Sequence, residues 1–167
     1  MPMHLGTIAL LCGILTVGNS SIISALEESS ILTTSSPSIV AGSIKAYSGI
    51  SKAKCLLNFK DDKVYEGISQ AKALYNISGS KIYEGISKAK CLFNLADDKV
   101  YEGISQAKCL YTFGDGKIYE GISQAKCLFN FDGHKLYKGI SKAQCVANWD
   151  GGELSPAQLV VLITQLR

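Results

Sequence analysis

The cysteines of this chain have the spacing that could most readily support chemistry. Five of them share one column of an 18-residue period, in which the remaining member is Ala73. They are Cys55, Cys91, Cys109, Cys127 and Cys145. Disulfides or a thiolate metal site would not easily tolerate the alanine, and no Cys-x-x-Cys or Cys/His pair stands at ligand spacing. We therefore predict core thiols, with no metal and no cofactor.

Six tyrosines follow the same period. They are Tyr47, Tyr65, Tyr83, Tyr101, Tyr119 and Tyr137. Core packing is the simpler interpretation, but a row that faces solvent or a lumen would be a possible binding row for sugars, other rings or a partner. The fragment Tyr-Glu-Gly resembles part of the MORN repeat, which is also a hairpin array. The longer unit and the further Gly-x-Gly pattern of that family are missing here.

No catalytic constellation is visible in the sequence. The histidines are His4 and His134, and neither follows the repeat. The pairs Asp61-Asp62 and Asp97-Asp98 could suggest calcium, but other repeats replace them with Ser-Gly-Ser or Gly-Asp-Gly, which is typical of turns. There is no Gly-rich phosphate loop, Ser/His/Asp set or pair of catalytic carboxylates. We predict no catalytic residue and no enzyme.

These residues belong to one 18-residue unit that is written six times within residues 44–152. In each unit two short β-prone stretches, such as 117–121 and 126–131, are separated by Gly-Ile-Ser-(Lys/Gln)-Ala. Asp- and Gly-rich turns join successive units. The sequence predicts an all-β tandem β-hairpin repeat of about twelve short strands.

A parallel β-solenoid with one coil per unit is the competing architecture. It would stack identical charged columns roughly 4.8 Å apart, and like charges directly opposite are destabilising. Hairpins separate equivalent residues by roughly 10 Å, where solvent screens them. We therefore favour hairpins, with the β-solenoid second.

Strand alternation also predicts the two faces of the sheet. It places Tyr119 with Phe129 and Phe131 on one side, and Ile118 and Asn130 on the other. Both faces are then partly apolar, and such a sheet cannot lie flat in water. A curled sheet or barrel, a coil, or packing against another chain is expected.

Residues 153–167 depart from the repeat and read as a C-terminal capping helix. Ser155 suits the N-cap, Pro156 the first turn, and Gln158 completes a capping box. Apolar residues at helical spacing, among them Leu159 and Leu162, predict one buried face. Repeat arrays need covered ends, so a lid on the last hairpin is favoured over a partner-binding helix.

The N-terminal residues are ambiguous. Residues 1–28 contain an apolar run that is short for a membrane span and lacks the basic start of a secretory signal, so a signal peptide and a buried helix stay equally open. Residues 29–43 are rich in Ser and Thr and read as a linker. Free thiols favour a cytoplasmic location, with secretion through an N-terminal signal as the alternative.

Composition narrows the class of partner. The 17 basic and 14 acidic residues are spread along the chain, giving a net charge of +3. No long run of like charge indicates nucleic acid. A protein partner or self-association is expected, a small ligand is possible, and membrane contact would require the N-terminal segment as an anchor.

Three functional hypotheses follow. The first is a non-enzymatic β-repeat scaffold that acts in binding or assembly through a repeated surface. The second is a closed β-barrel that encloses a small apolar ligand or its own N-terminal helix. The third is a self-assembling structural subunit that uses unpaired strand edges.

Overall fold

The computed structural model describes residues 42–167, in which twelve antiparallel strands precede one helix. The elements are β1 (Ile44–Ser48), β2 (Cys55–Lys60), β3 (Lys63–Glu66), β4 (Ala73–Ser78), β5 (Lys81–Glu84), β6 (Cys91–Ala96), β7 (Lys99–Glu102), β8 (Cys109–Gly114), β9 (Lys117–Glu120), β10 (Cys127–Asp132), β11 (Lys135–Lys138), β12 (Cys145–Asp150) and α1 (Pro156–Gln165). The hairpin prediction is confirmed and the solenoid was wrong. The interpretations of residues 1–28 and of most of the 29–43 linker lie outside the described residues.

The turns between the two strands of each hairpin follow the sequence closely. Their first position is always Asp or Gly, and its φ is positive in all five turns, as at Asp61 (53°) and Gly79 (59°). Glycine adopts this conformation without steric cost, and the short polar side chain of aspartate tolerates it. Turn geometry therefore accounts for the aspartates.

The sheet closes on itself because β12 pairs with β1. Trp149 lies opposite Ala46, and Asn148 lies opposite Tyr47. The same offset pairs Phe59 with Val64 inside the β2–β3 hairpin. The β12–β1 pair is thus a sixth hairpin without its connecting turn, and the barrel is closed by the two ends of the repeat array.

The predicted assignment of faces was wrong. Ile118 lies opposite Phe129 and points to the same side of the sheet, whereas Tyr119 lies opposite Cys127. The cause is a β-bulge between Cys127 and Phe129, where Leu128 is an extra residue. One such bulge occurs in every unit. It places the Phe and Ile/Val columns inside the barrel and the Tyr, Asn and Cys columns outside.

Helix α1 lies within the barrel. Val160, Val161, Leu162 and Ile163 all have 0% exposure, and four consecutive residues cover about 300° around a helix axis. They form one apolar cluster with inward residues contributed by strands all around the sheet, such as Val64. The predicted helix is present, but it fills the central space and does not cover the last hairpin. No helix among residues 42–167 is long and apolar enough to cross a membrane.

The start of α1 is the one predicted. The Ser155 hydroxyl accepts a hydrogen bond from the Gln158 backbone N–H at 3.3 Å, and the Gln158 side-chain oxygen accepts one from the Ser155 N–H at 2.8 Å. Pro156 occupies the first turn. This capping box satisfies backbone donors at the helix end, where no intrahelical acceptor exists.

Candidate functional site

Six outer loops leave one end of the barrel, and their side chains reach the opposite ends of the strands, as Lys88 does at Ser78 and Lys142 at Asp132. We define them as residues 49–54, 67–72, 85–90, 103–108, 121–126 and 139–144. Each begins at the glycine of the Tyr-x-Gly fragment, where φ lies between 65° and 71°, and returns to the next strand six residues later. The loops are longer than a tight turn, so they need their own anchors on the barrel.

A column of buried polar residues on the outer face anchors the loops. Asn58 is 2% exposed, and its Nδ2 donates to the Ile68 carbonyl at 3.0 Å. Asn76 donates in the same way to Ile86 at 2.7 Å. The matching bonds in the other units come from Asn94, Thr112, Asn130 and Asn148. Each loop is therefore folded back onto the outside of the sheet.

This asparagine column was missed in the sequence. Its signal was an asparagine in the middle of a strand at an 18-residue period, although asparagine is depleted in strands. The exception is Thr112, whose hydroxyl donates to the Gly121 carbonyl at 2.7 Å. A side-chain donor at this position is common to all six units.

Replacing Asn76 with alanine should lower the free energy of unfolding by about 1–2 kcal/mol, because the Ile86 carbonyl loses its partner under the loop. Asn76→Thr is the matched control, since the chain itself uses threonine at position 112. Urea denaturation measures both. Equal stability of Asn76→Ala and the unmodified protein would contradict an anchoring role.

Each outer loop exposes one isoleucine. The exposed fractions lie between 68% and 75% for Ile50, Ile68, Ile86, Ile104, Ile122 and Ile140. By contrast, the inward-facing Ile82 and Ile118 have 0% exposure. Single exposed apolar residues are common on proteins. Here the same apolar side chain is presented six times around one barrel, a group we call the isoleucine ring.

The structure places the tyrosine row on the outer face, next to the asparagine column. Tyr47 is 8% exposed and the other five are half-buried. The pKa of Tyr47 is raised, first by burial and then by the nearby Asp150 carboxylate. Two inward-facing tyrosines escaped notice in the sequence. Tyr75 accepts a hydrogen bond from Gln165, and Tyr111 accepts one from Arg167.

The five repeat cysteines are half-buried on the outer face, outside the apolar cluster that surrounds α1. Their thiols lie within hydrogen-bonding distance of backbone carbonyls; the single Cys91 S–H can donate to Phe93 at 3.3 Å or to Gly103 at 3.4 Å. Burial raises the pKa of the Cys55 and Cys127 thiols. A raised pKa lowers the fraction of reactive thiolate.

His134 and Asp132 both make local side-chain contacts. His134 stacks on Trp149, with ring centroids 6.1 Å apart, and its Nε2 lies 2.9 Å from Glu153. The side-chain hydrogen bond from Lys142 lowers the pKa of Asp132. Within residues 42–167, no group of three or more His, Cys, Asp or Glu side chains is placed to hold a metal ion.

The family comparison agrees with this geometry. The sequence model of a family described as "6-fold beta flower protein" matches residues 44–161, from the first strand into α1. The chain belongs to the 6-fold beta flower proteins. Neither a curated protein nor a solved structure matches it significantly. In this beta flower, six repeated hairpins form the closed barrel and six outer loops surround it.

Proposed function

We propose that the protein is a non-enzymatic β-repeat scaffold that associates through its outer loops, with further copies of the same chain as the partner. The observation that carries the proposal is the isoleucine ring, in which every repeat presents an isoleucine at 68–75% exposure. Burial of apolar surface is the main source of stability in protein association. Six equivalent positions give six equivalent attachment points.

The pattern of change among repeats supports a role for these side chains. Two positions after the isoleucine, the loops carry either Lys or Gln, as at Lys52 and Gln70, so the units have diverged there. Divergence has left the isoleucine unchanged in all six loops, together with the glycine before it, the serine after it and the alanine three positions on. None of the six packs in the apolar cluster inside the barrel.

Self-association is favoured by the charges beside the ring. The strand and loop residues carry both signs, as in the pair Lys72–Glu66 at 2.8 Å with both side chains more than half exposed. The net charge of the whole chain is only +3. Two copies therefore repel each other weakly, and a lysine of one loop can face a glutamate of another.

The alternative hypotheses receive less support. Sheet closure leaves no unpaired edge among β1–β12, so assembly by edge pairing lacks its template. The barrel is closed, as the second hypothesis required, but α1 fills its centre with Val160, Val161 and Leu162 at 0% exposure. A ligand in that space would have to displace the helix.

Sedimentation velocity over a broad concentration range tests the proposal. We expect the mean mass of the unmodified protein to rise with concentration, and a variant with all six ring isoleucines changed to serine to stay monomeric. The matched control changes the six exposed loop alanines to serine, namely Ala53, Ala71, Ala89, Ala107, Ala125 and Ala143. Surface substitutions of this kind each change stability by less than about 0.5 kcal/mol.

Two outcomes would contradict the proposal. One is an unmodified protein that stays monomeric at every concentration. The other is association that the serine variant retains in full.

A further inference from the structure

The end of the barrel from which the outer loops leave, which we call the rim, carries a repeated ion pair. The pair is missing in two of the six units, and we call this place the gap. In four successive units a strand-end glutamate pairs with the last lysine of the following loop: Glu66–Lys72, Glu84–Lys90, Glu102–Lys108 and Glu120–Lys126, with N–O distances between 2.5 and 2.8 Å. In the last unit the corresponding residues are Lys138 and Gln144. In the first they are Ser48 and Lys54.

Barrel closure brings the two exceptional units together. Lys138 ends β11 and Ser48 ends β1, and only β12 lies between these strands. Among residues 42–167 no carboxylate lies within 4.0 Å of the Lys138 ammonium. The ion pair is therefore present in four units, whereas Lys54 and Lys138, where the ends of the array meet, have no ion-pair partner among residues 42–167.

A cleft of about 520 Å³ opens at this gap. Ser48, Lys138 and Gln144 supply polar groups to its lining. The backbone N–H of Lys138 donates a hydrogen bond to the backbone carbonyl of Gln144 at 2.9 Å, which holds the two residues together. Clefts of 300 to 1,000 Å³ are the usual size for small-molecule sites. No Asp or Glu side chain lines the described cleft.

The apolar part of the lining begins beside Lys138, whose cross-strand partner is Phe129. It consists of Leu128, Phe129 and Val146 from the sheet together with Leu166 from the end of α1. Arg167 also borders the cleft, but its guanidinium donates to the Tyr111 hydroxyl at 3.0 Å and lies 3.4 Å from Glu120. Lys138, by contrast, has no ion-pair partner among residues 42–167.

We propose that this cleft binds a small amphipathic anion, with a carboxylate at Lys138 and a hydrocarbon body against Leu128, Phe129, Val146 and Leu166. Charge complementarity orients the head group, because a charge-assisted hydrogen bond to an ammonium is stronger than a neutral one. The apolar wall contributes affinity through burial. This site is independent of the isoleucine ring.

Isothermal titration calorimetry with monomeric decanoate, well below its micelle concentration, tests the proposal on the full chain. We expect one site per chain. Lys138→Met keeps the aliphatic stem, removes the charge and should weaken binding about tenfold or more. Lys60→Met removes a lysine at the other end of the barrel and should leave the affinity unchanged. Decan-1-ol, which lacks the charge, should bind the unmodified protein and Lys138→Met equally.

A second variant closes the gap with the repeat's own residues. Lys138→Glu combined with Gln144→Lys recreates the ion pair found in four other units, so this variant is expected to fold and to lose saturable decanoate binding. The proposal is overturned by an unmodified protein with no saturable binding, by equal affinities of Lys138→Met and Lys60→Met, or by about six sites per chain. It is also overturned by binding to phosphatidylglycerol vesicles without binding of monomeric decanoate.

Discussion

Replacing Leu162 with alanine is expected to lower the free energy of unfolding by about 3 kcal/mol. Leu162 has 0% exposure at the centre of the barrel, so its loss leaves a cavity between α1 and the inward side chains of the strands. The closed sheet is hydrogen-bonded around its whole circumference. It cannot collapse easily onto the smaller residue, and we expect the cost to reflect the cavity as well as the lost methyl groups.

Urea denaturation followed by far-UV circular dichroism measures this change. Gln165→Ala is the control on the same helix, because Gln165 is exposed and makes one hydrogen bond, to Tyr75 at 2.9 Å. It should cost less than about 1 kcal/mol. A similar cost for both variants would mean that α1 is not enclosed by the sheet in solution.

Replacing Trp149 with alanine should be still more costly, at about 4 kcal/mol. Trp149 is 3% exposed and lies opposite Ala46 in the β12–β1 pair that closes the barrel. Its loss removes the largest side chain from that seam and the ring on which His134 stacks. We expect the seam to open at lower urea concentration than in the unmodified protein.

Trp149→Phe separates packing from hydrogen bonding. The indole Nε1 is buried without an acceptor in the described structure, and an unpaired buried N–H is unfavourable. Phenylalanine keeps an apolar ring and removes that group, so it should cost less than about 1.5 kcal/mol. Circular dichroism follows both variants, because the chain has a single tryptophan and fluorescence would be lost. A Phe variant as unstable as the Ala variant would contradict this reasoning.

Local signals in the sequence predicted the local structure well. The 18-residue period, the Asp/Gly turn column and the Ser155 capping box each depend on neighbouring residues, and each was confirmed. The faces were wrong because Leu128 and its equivalents are extra residues in their strands. A bulge shifts the alternation beyond it, and the sequence of a β-prone stretch contains no clear mark of such an insertion.

The enclosed helix and the cleft at Lys138 were missed because both depend on contacts between residues that are far apart in the sequence. The pattern of α1 was interpreted as one apolar face, although Val160 and Val161 complete an apolar surface all around the helix. The sequence does not show that the sheet encloses α1, because the barrel closes only when β1 pairs with β12. The cleft at Lys138 likewise forms from residues at opposite ends of the array, such as Ser48 and Gln144. No local pattern brings them together.

Ring closure around α1 also restricts how the gene can change in length. An open array can gain or lose one repeat at its end, since each repeat touches only its neighbours. In a closed barrel the diameter grows with strand number, and a packed helix is about 10–12 Å wide. Duplicating one unit would leave a gap around α1, and deleting one would exclude the helix from the centre. The number of repeat units and the size of the central helix are therefore expected to change together in evolution.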